Sequence, residues 1–279
     1  MKRSGSFILL RHALIVAAGI AMLYPLLWML SSSFNENTQI FKNTSFFPNA
    51  PTLENYAQGW FGFSGVSFSR FFANSFLIVA LCIVGTNLSC SMAAYAFARL
   101  SFAFRKFFFA VMLMTLMLPF QVTLIPQYIL FHRLGWVNTY WPLILPKFLG
   151  VEGFFVFLIV QFMRNIPREL DEAAKLDGCS PYRMYGLLLL PLVLPALVTT
   201  TIFTFIWTWN DYFSQLIYIS DISLYTVGLA LRQFIDVTGQ SSYGALFAMS
   251  ILSLIPLFAI FILFQKFLID GITAGGVKG

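Results

Sequence analysis

Lys147, Glu152 and Asp211 stand inside long apolar stretches of this sequence. A charge near the centre of a membrane-spanning helix costs roughly 2.5–3.5 kcal/mol on insertion scales, so each is by default a candidate for lining a path across a membrane. Lys147 and Glu152 are five residues apart, about 140° around a continuous helix, which keeps them from pairing with each other. Asp211 follows Trp209 and Asn210, and the three together are candidates for the same path. The faces of Trp207 and Trp209 suit stacking on a sugar ring, and anchoring at the lipid interface accounts for both equally well. Other chemistry-bearing residues form no constellation. His12 and His132 are isolated, and there is neither a His-Glu-x-x-His run nor a nucleophile elbow. Cys82, Cys90 and Cys179 have no metal-ligand spacing. The glycine-rich tail 271–279 lacks the Gly-Lys-Ser/Thr ending of a phosphate-binding loop, and no strand precedes it. No catalytic residue and no metal site are expected, and the chain is expected to hydrolyse no ATP itself.

The elements that position these residues follow from composition. Of 279 residues only 10% are charged and 59% are hydrophobic, with 33 Phe among them, and the mean hydropathy is +0.80. A soluble domain carries roughly 25% charged residues, and so few cannot cover a globule of this size. Disordered, collagen-like, disulfide-scaffold and soluble secreted classes are excluded, and the chain reads as an integral membrane protein. Six stretches have the roughly 20 apolar residues that a spanning helix needs: 7–30, 71–98, 107–130, 140–162, one within 187–219, and 243–268. The fold class is therefore all-α with six transmembrane helices. The first stretch is longer than a signal-peptide core and no small-x-small cleavage site follows it, so it reads as a retained helix.

The net charge of +6 reads as membrane orientation rather than affinity for nucleic acid. With the N-terminus inside, the inner segments hold twelve basic residues: Lys2, Arg3, Arg11, Arg99, Arg105, Lys106, Arg164, Arg168, Lys175, Arg183, Lys266 and Lys278. The outer ones hold four, Lys42, Arg70, Arg133 and Arg232. Both termini are thus expected in the cytoplasm. Two outer segments are long and polar, 31–70 with Pro48, Asn49 and Pro51, and 220–242 with Asp221 and Asp236. Spans three and four carry Pro119, Pro126, Pro142 and Pro146, with Gly150 and Gly153 nearby. Packed kinks and broken helices along a pathway are both compatible with them.

The inner loop between spans four and five has the densest local signals. Pro167 suits a helix start, and Glu169, Asp171 and Glu172 then sit at the positive end of the helix dipole. Asp177-Gly178 is a stop, and Ser180 can cap a second helix opening at Pro181. The spacing predicts a short helix, a glycine turn and a second helix, with Ala173 and Ala174 leaving a smooth flank.

Glu172-Ala173-Ala174, three residues, Gly178, nine residues, then Leu188-x-Leu190-Pro191 resembles the signature loop of permease subunits in binding-protein-dependent ABC importers. Leu188 stands where that family more often has Ile. Asn74-Ser75, Trp209-Asn210-Asp211 and the tail 265–279 extend the resemblance, which covers the chain from about Phe71 onward. The tail is similar to that of the second permease in the carbohydrate, maltose-type branch. The resemblance implies a type I ABC importer permease fold: an N-terminal helix and outer loop (1–70), a transmembrane domain (71–268) with a cytoplasmic coupling loop (164–186), and a cytoplasmic tail (269–279). It implies that Glu172, Ala173, Ala174, Asp177 and Gly178 dock on a cytoplasmic ATPase dimer, which binds ATP and Mg while this chain holds no cofactor. It further implies a second permease subunit, an extracytoplasmic solute-binding protein and a place in a prokaryotic cytoplasmic membrane, with a sugar or related solute as cargo.

Overall fold

The computed structural model of the chain describes residues 5–42, 46–48, 50–235 and 242–276, with the backbone alone at 5–8 and 267–276. Lys2, Arg3, Asn49, Asp236 and Lys278 lie outside the described residues. Among those described, regular structure is helical throughout, apart from a single bridge between Phe63 and Val66. Two compact units are formed, Met1–Ser69 with Ala230–Ile255, and Arg70–Leu229 with Pro256–Gly279.

The helices are α1 (Gly5–Ser32), α2 (Glu54–Phe61), α3 (Phe68–Arg99), α4 (Arg105–Thr115), α5 (Phe120–Arg133), α6 (Trp141–Ile144), α7 (Gly153–Asn165), α8 (Glu169–Leu176), α9 (Pro181–Leu192), α10 (Leu194–Trp209), α11 (Phe213–Tyr218), α12 (Val227–Gln233) and α13 (Tyr243–Gly276). Four apolar spans cross without a sharp bend, Leu9–Ser32, Phe68–Arg99, Trp141–Asn165 and Tyr243–Lys266, the third of them interrupted. The other two expected spans are bent pairs, α4 with α5 at 99° and α9 with α10 at 76°. Pro119 causes the first bend, because the residue before a proline is pushed out of the helical region and Pro119 itself is extended (ψ 136°). Pro191 and Pro195 flank the second, at Val193. That break was not anticipated from the sequence. Pro126, by contrast, sits inside α5 without ending it.

Span four is broken within its length. Pro142 and Pro146 lead into a 3-10 turn, Leu145–Leu149, which Gly150 ends in the left-handed region at φ +67°. A break inside a membrane is tolerated only where protein satisfies the freed carbonyls. Here α3 supplies the donors. The Cys82 thiol donates to the Leu143 carbonyl (3.5 Å), which a 3-10 bond from position 146 would otherwise take, had Pro146 an N–H. Ser89 Oγ donates to the Lys147 carbonyl at 2.7 Å. At its other end α3 holds the segment after α11: Asn74 Nδ2 donates to the carbonyls of Ser223 (3.0 Å) and Tyr225 (2.8 Å), and Ser75 Oγ accepts from Val227 N (2.9 Å). Small side chains let the spans close on one another: Cys90, Ala94 and Ala98 of α3 pack against Phe155, Ile159 and Met163 of α7.

In the unit containing the first helix, Asn55 of α2 donates to the carbonyls of Ser33 (2.8 Å) and Asn35 (2.7 Å), and Trp28 meets Phe247 edge-on at 5.4 Å. The backbone of α13 stays helical to Gly276, beyond the span end expected at Leu268.

Gly85 of α3 admits the broken part of span four: a Cβ there would stand 2.6 Å from the Phe148 ring. Gly85→Ala should destabilise the detergent-purified protein by about 1–3 kcal/mol through overpacking, read as a lowered Tm. Adding Phe148→Ala should cost less in that background than in the native one, and strict additivity of the two changes would contradict the contact.

Candidate functional site

A cavity of about 720 Å³ opens beside the breaks that follow Pro119 and interrupt span four. Ile78 and Cys82 of α3 form one wall, Phe120 and Gln121 enter from the start of α5, and Leu143 and Lys147 come from span four. The end of α10 and the segment after it contribute Trp207, Thr208, Asn210 and Asp211, and α11 contributes Ser214 and Gln215. A smaller cavity of about 240 Å³ shares Lys147, Asp211 and Ser214 and adds Glu152. Four of the five path candidates therefore line neighbouring spaces: Lys147, Glu152, Asn210 and Asp211. Among the described residues no three His, Cys, Asp or Glu side chains come together as metal ligands.

The expectation that Lys147 and Glu152 stay apart is overturned. Lys147 Nζ donates to Glu152 Oε1 in a salt bridge whose side chains are 28% and 23% exposed. The 140° separation holds only on a continuous helix, and this one stops at Gly150. The chain turns there and α7 begins afresh with Glu152 as its N-cap residue, which carries the carboxylate back to the ammonium. Asp211 makes a local bond instead, its Oδ1 accepting from Ser214 N at 3.0 Å. The cavities thus hold a neutralised ion pair, one further carboxylate and several amide and hydroxyl groups.

Trp209 lies elsewhere. It is 5% exposed, stacked on Phe205 at 5.5 Å and 10° and edge-on to Phe76 at 4.9 Å, and it does not line the cavity. Trp207, about 200° away around α10, is the tryptophan that does, with its ring stacked on Phe155 at 5.0 Å.

The inner loop forms the elements its local signals predict. α8 covers Glu169–Leu176, with Glu169, Asp171 and Glu172 in its first turn. Asp177 is its C-cap, and Gly178 takes φ +76°. Ser180 Oγ accepts from Arg183 N and Pro181 opens α9. Glu172, Ala173, Asp177 and Gly178 are exposed, whereas Ala174 is partly buried against the α3–α7 core. Met184–Leu189 of α9 is wound wide, with i→i+5 bonding, a form often found at functional positions.

In the sequence Arg99 has no role beyond the charge count. In the structure its guanidinium is buried at the end of α3 and serves three acceptors: Nη1 donates to Asp171 Oδ2 (2.9 Å), and Nη2 to the carbonyls of Met163 (2.6 Å) and Ile166 (2.8 Å). An arginine ending an apolar helix looks like an interface anchor, and nothing in the sequence pairs it with Asp171.

Residues 85–273 match the family model of the binding-protein-dependent transport system inner membrane component. The chain is 38% identical over 260 residues to a probable ABC transporter permease protein, YurM, of Bacillus subtilis, covering 93% of this chain and 85% of that one. It is 34% identical to the arabinooligosaccharides transport system permease protein AraQ of Halalkalibacterium halodurans, over the full length of both. Its fold is shared with a chain from the crystal structure of a bacterial ABC transporter involved in the import of the acidic polysaccharide alginate, with a TM-score of 0.84, 19% identity and coverage of 95% and 99%.

Breaking the Lys147–Glu152 pair leaves one partly buried charge without its partner. Lys147→Met and Glu152→Gln should each destabilise by about 1–3 kcal/mol, an amount held down by the exposure of both side chains. The double variant should recover most of the loss. Equal melting temperatures for the two single variants and the native protein would remove the pair from the account.

Proposed function

The chain belongs to the family of binding-protein-dependent transport system inner membrane components, and from that membership we propose how it works: as one of two permease chains, it passes a sugar or related solute inward across the cytoplasmic membrane by alternating access. It is a multi-pass transport subunit of an ABC importer, and ATP hydrolysis belongs to a separate ATPase subunit.

The observation that carries the coupling part of this reading is the surface of the α8–α9 loop. Leu176 is 89% exposed and Tyr182 86% exposed, on a segment that also presents Glu172, Lys175 and Asp177. Three exposed charges in the eight residues of α8, Glu169, Glu172 and Lys175, are too many for lipid tails, while two large exposed apolar side chains on the same loop suit a protein groove. Glu172, Ala173, Ala174, Asp177 and Gly178 form the docking element for a cytoplasmic ATPase dimer, which carries the ATP and Mg. Its closure pushes α8, the spans open outward to receive solute from an extracytoplasmic binding protein, and hydrolysis returns them.

Solute passes along the cavity beside Lys147, Glu152, Asn210 and Asp211. Its amides, hydroxyls and the Trp207 face suit a polyhydroxylated ring, and the name of the AraQ relative, with its arabinooligosaccharides, supports the same class. The second permease is a distinct chain, and both termini lie in the cytoplasm. The division is 1–70, 71–268 with the loop 164–186, and a tail at 269–279 that approaches the ATPase dimer.

Affinity purification of the tagged chain from its native membrane in gentle detergent tests the whole assignment. A stoichiometric ATPase and a second permease are expected, and the ATPase should be lost on Glu172→Ala combined with Gly178→Val. A chain that purifies alone and still moves solute in ATP-free vesicles would replace the importer by a stand-alone carrier. Gly178→Val on its own should impair ATPase coupling more than folding: an added Cβ meets nothing within 4 Å, so the penalty is the left-handed backbone at an exposed turn.

A further inference from the structure

Span α3 connects the two halves of this reading physically. Its residues Ile78 and Cys82 line the cavity, and Arg99, its last residue, holds the loop. The interval from Cys82 to Arg99 is about 25 Å of continuous helix. Along one face of that helix, at i, i+4 and i+8, three side chains reach the loop and its flanks. Ser91 Oγ and Tyr185 Oη lie 2.8 Å apart, Tyr95 Oη donates to the Pro181 carbonyl at 3.0 Å, and Arg99 pairs with Asp171. Both ends of the α8 loop are therefore tied to the same helix, the far end through α9 and the near end through Arg99.

We propose that Arg99 is a positioning residue for transport: one buried guanidinium clamps the end of α7 and the coupling helix α8 to α3, so that displacement of α8 by the ATPase moves the cavity wall. This rests on the permease reading above. The side chains of Arg99 and Asp171 are 3% and 11% exposed, so the pair is shielded from solvent and salt. The planar fork reaches three acceptors on two elements, which a lysine ammonium cannot reproduce with the same geometry. The two α7 carbonyls come from its final turn and its C-cap, where a cation is favoured; that of Met163 also accepts from Ile166 N at 3.2 Å. Arg99 Nε and Asp171 Oδ1 are buried without hydrogen-bond partners among the described residues. They are a spare donor and a spare acceptor within one ion pair.

The test uses the complete importer, with its ATPase, second permease and binding protein, reconstituted in vesicles where solute uptake and ATP hydrolysis are measured together. The readout is solute moved per ATP. Arg99→Lys should lower it roughly tenfold, the scale of one charge-assisted hydrogen bond, while the ATPase still co-purifies in stoichiometric amount. Asp171→Asn, which keeps size and an acceptor, should lower it less, because Arg99 retains its two carbonyls. A native ratio of uptake to hydrolysis in both variants would overturn the proposal. So would a loss of uptake matched throughout by loss of bound ATPase, which would make the clamp a matter of assembly. Asp171→Asn carries the test if Arg99→Lys fails to fold. Absence of ATP-driven uptake by the native importer would instead overturn the permease reading, and the clamp with it.

Discussion

Hydrocarbon offers no hydrogen bonds, so every carbonyl freed where a span breaks has to find its donor in the protein. In this chain the broken span four finds donors on α3. Cys82 answers the Leu143 carbonyl and Ser89 the Lys147 carbonyl, and they can do so because seven residues bring a helix back to nearly the same face. Gly85, between them, removes the side chain that would hold the two backbones apart. Without that column, the 3-10 turn and its left-handed glycine would leave unpaired backbone at membrane depth, at a cost of several kcal/mol per group.

The break in turn explains the electrostatics of the cavity. A continuous helix would have placed Lys147 and Glu152 on different faces, each needing its own partner. Interrupting the helix at Gly150 lets each neutralise the other beside the cavity, where partial exposure keeps the desolvation penalty moderate. The cavities then present polar groups and the Asp211 carboxylate rather than an isolated ammonium.

What the sequence made legible was local. Apolar run lengths locate the spans, because the membrane imposes a length on them. The α8 loop is readable almost residue by residue, since Asp177, Gly178, Ser180 and Pro181 act through their own backbone conformations and caps. The features that escaped the sequence depend on how distant segments meet. A five-residue spacing says nothing about an ion pair until the helix is known to end between the two residues. Trp207 and Trp209 look alike in sequence, and only the packing of Phe76 and Phe205 decides which one is buried. Arg99 and Asp171 are separated by 72 positions, and the loop-charge bias of membrane proteins already accounts for an arginine at the end of an apolar helix.

Transport places opposed demands on the spans, since some must change shape while others carry force without deforming. The bent pairs and the interrupted span four carry prolines at their breaks, the wide-wound turn and the left-handed glycine, features that lower the cost of local rearrangement. α3 carries no proline and no break over 32 residues, and it presents Cys, Ser, Ala and Gly to its neighbours. A continuous helix with a hydrogen-bonding face can hold irregular partners through side chains, and side-chain bonds can be exchanged without unfolding a backbone. The same helix that makes the breaks affordable is therefore the one suited to connect the loop with the cavity, because it is the only partner of both that has nothing of its own to rearrange among the described spans it touches.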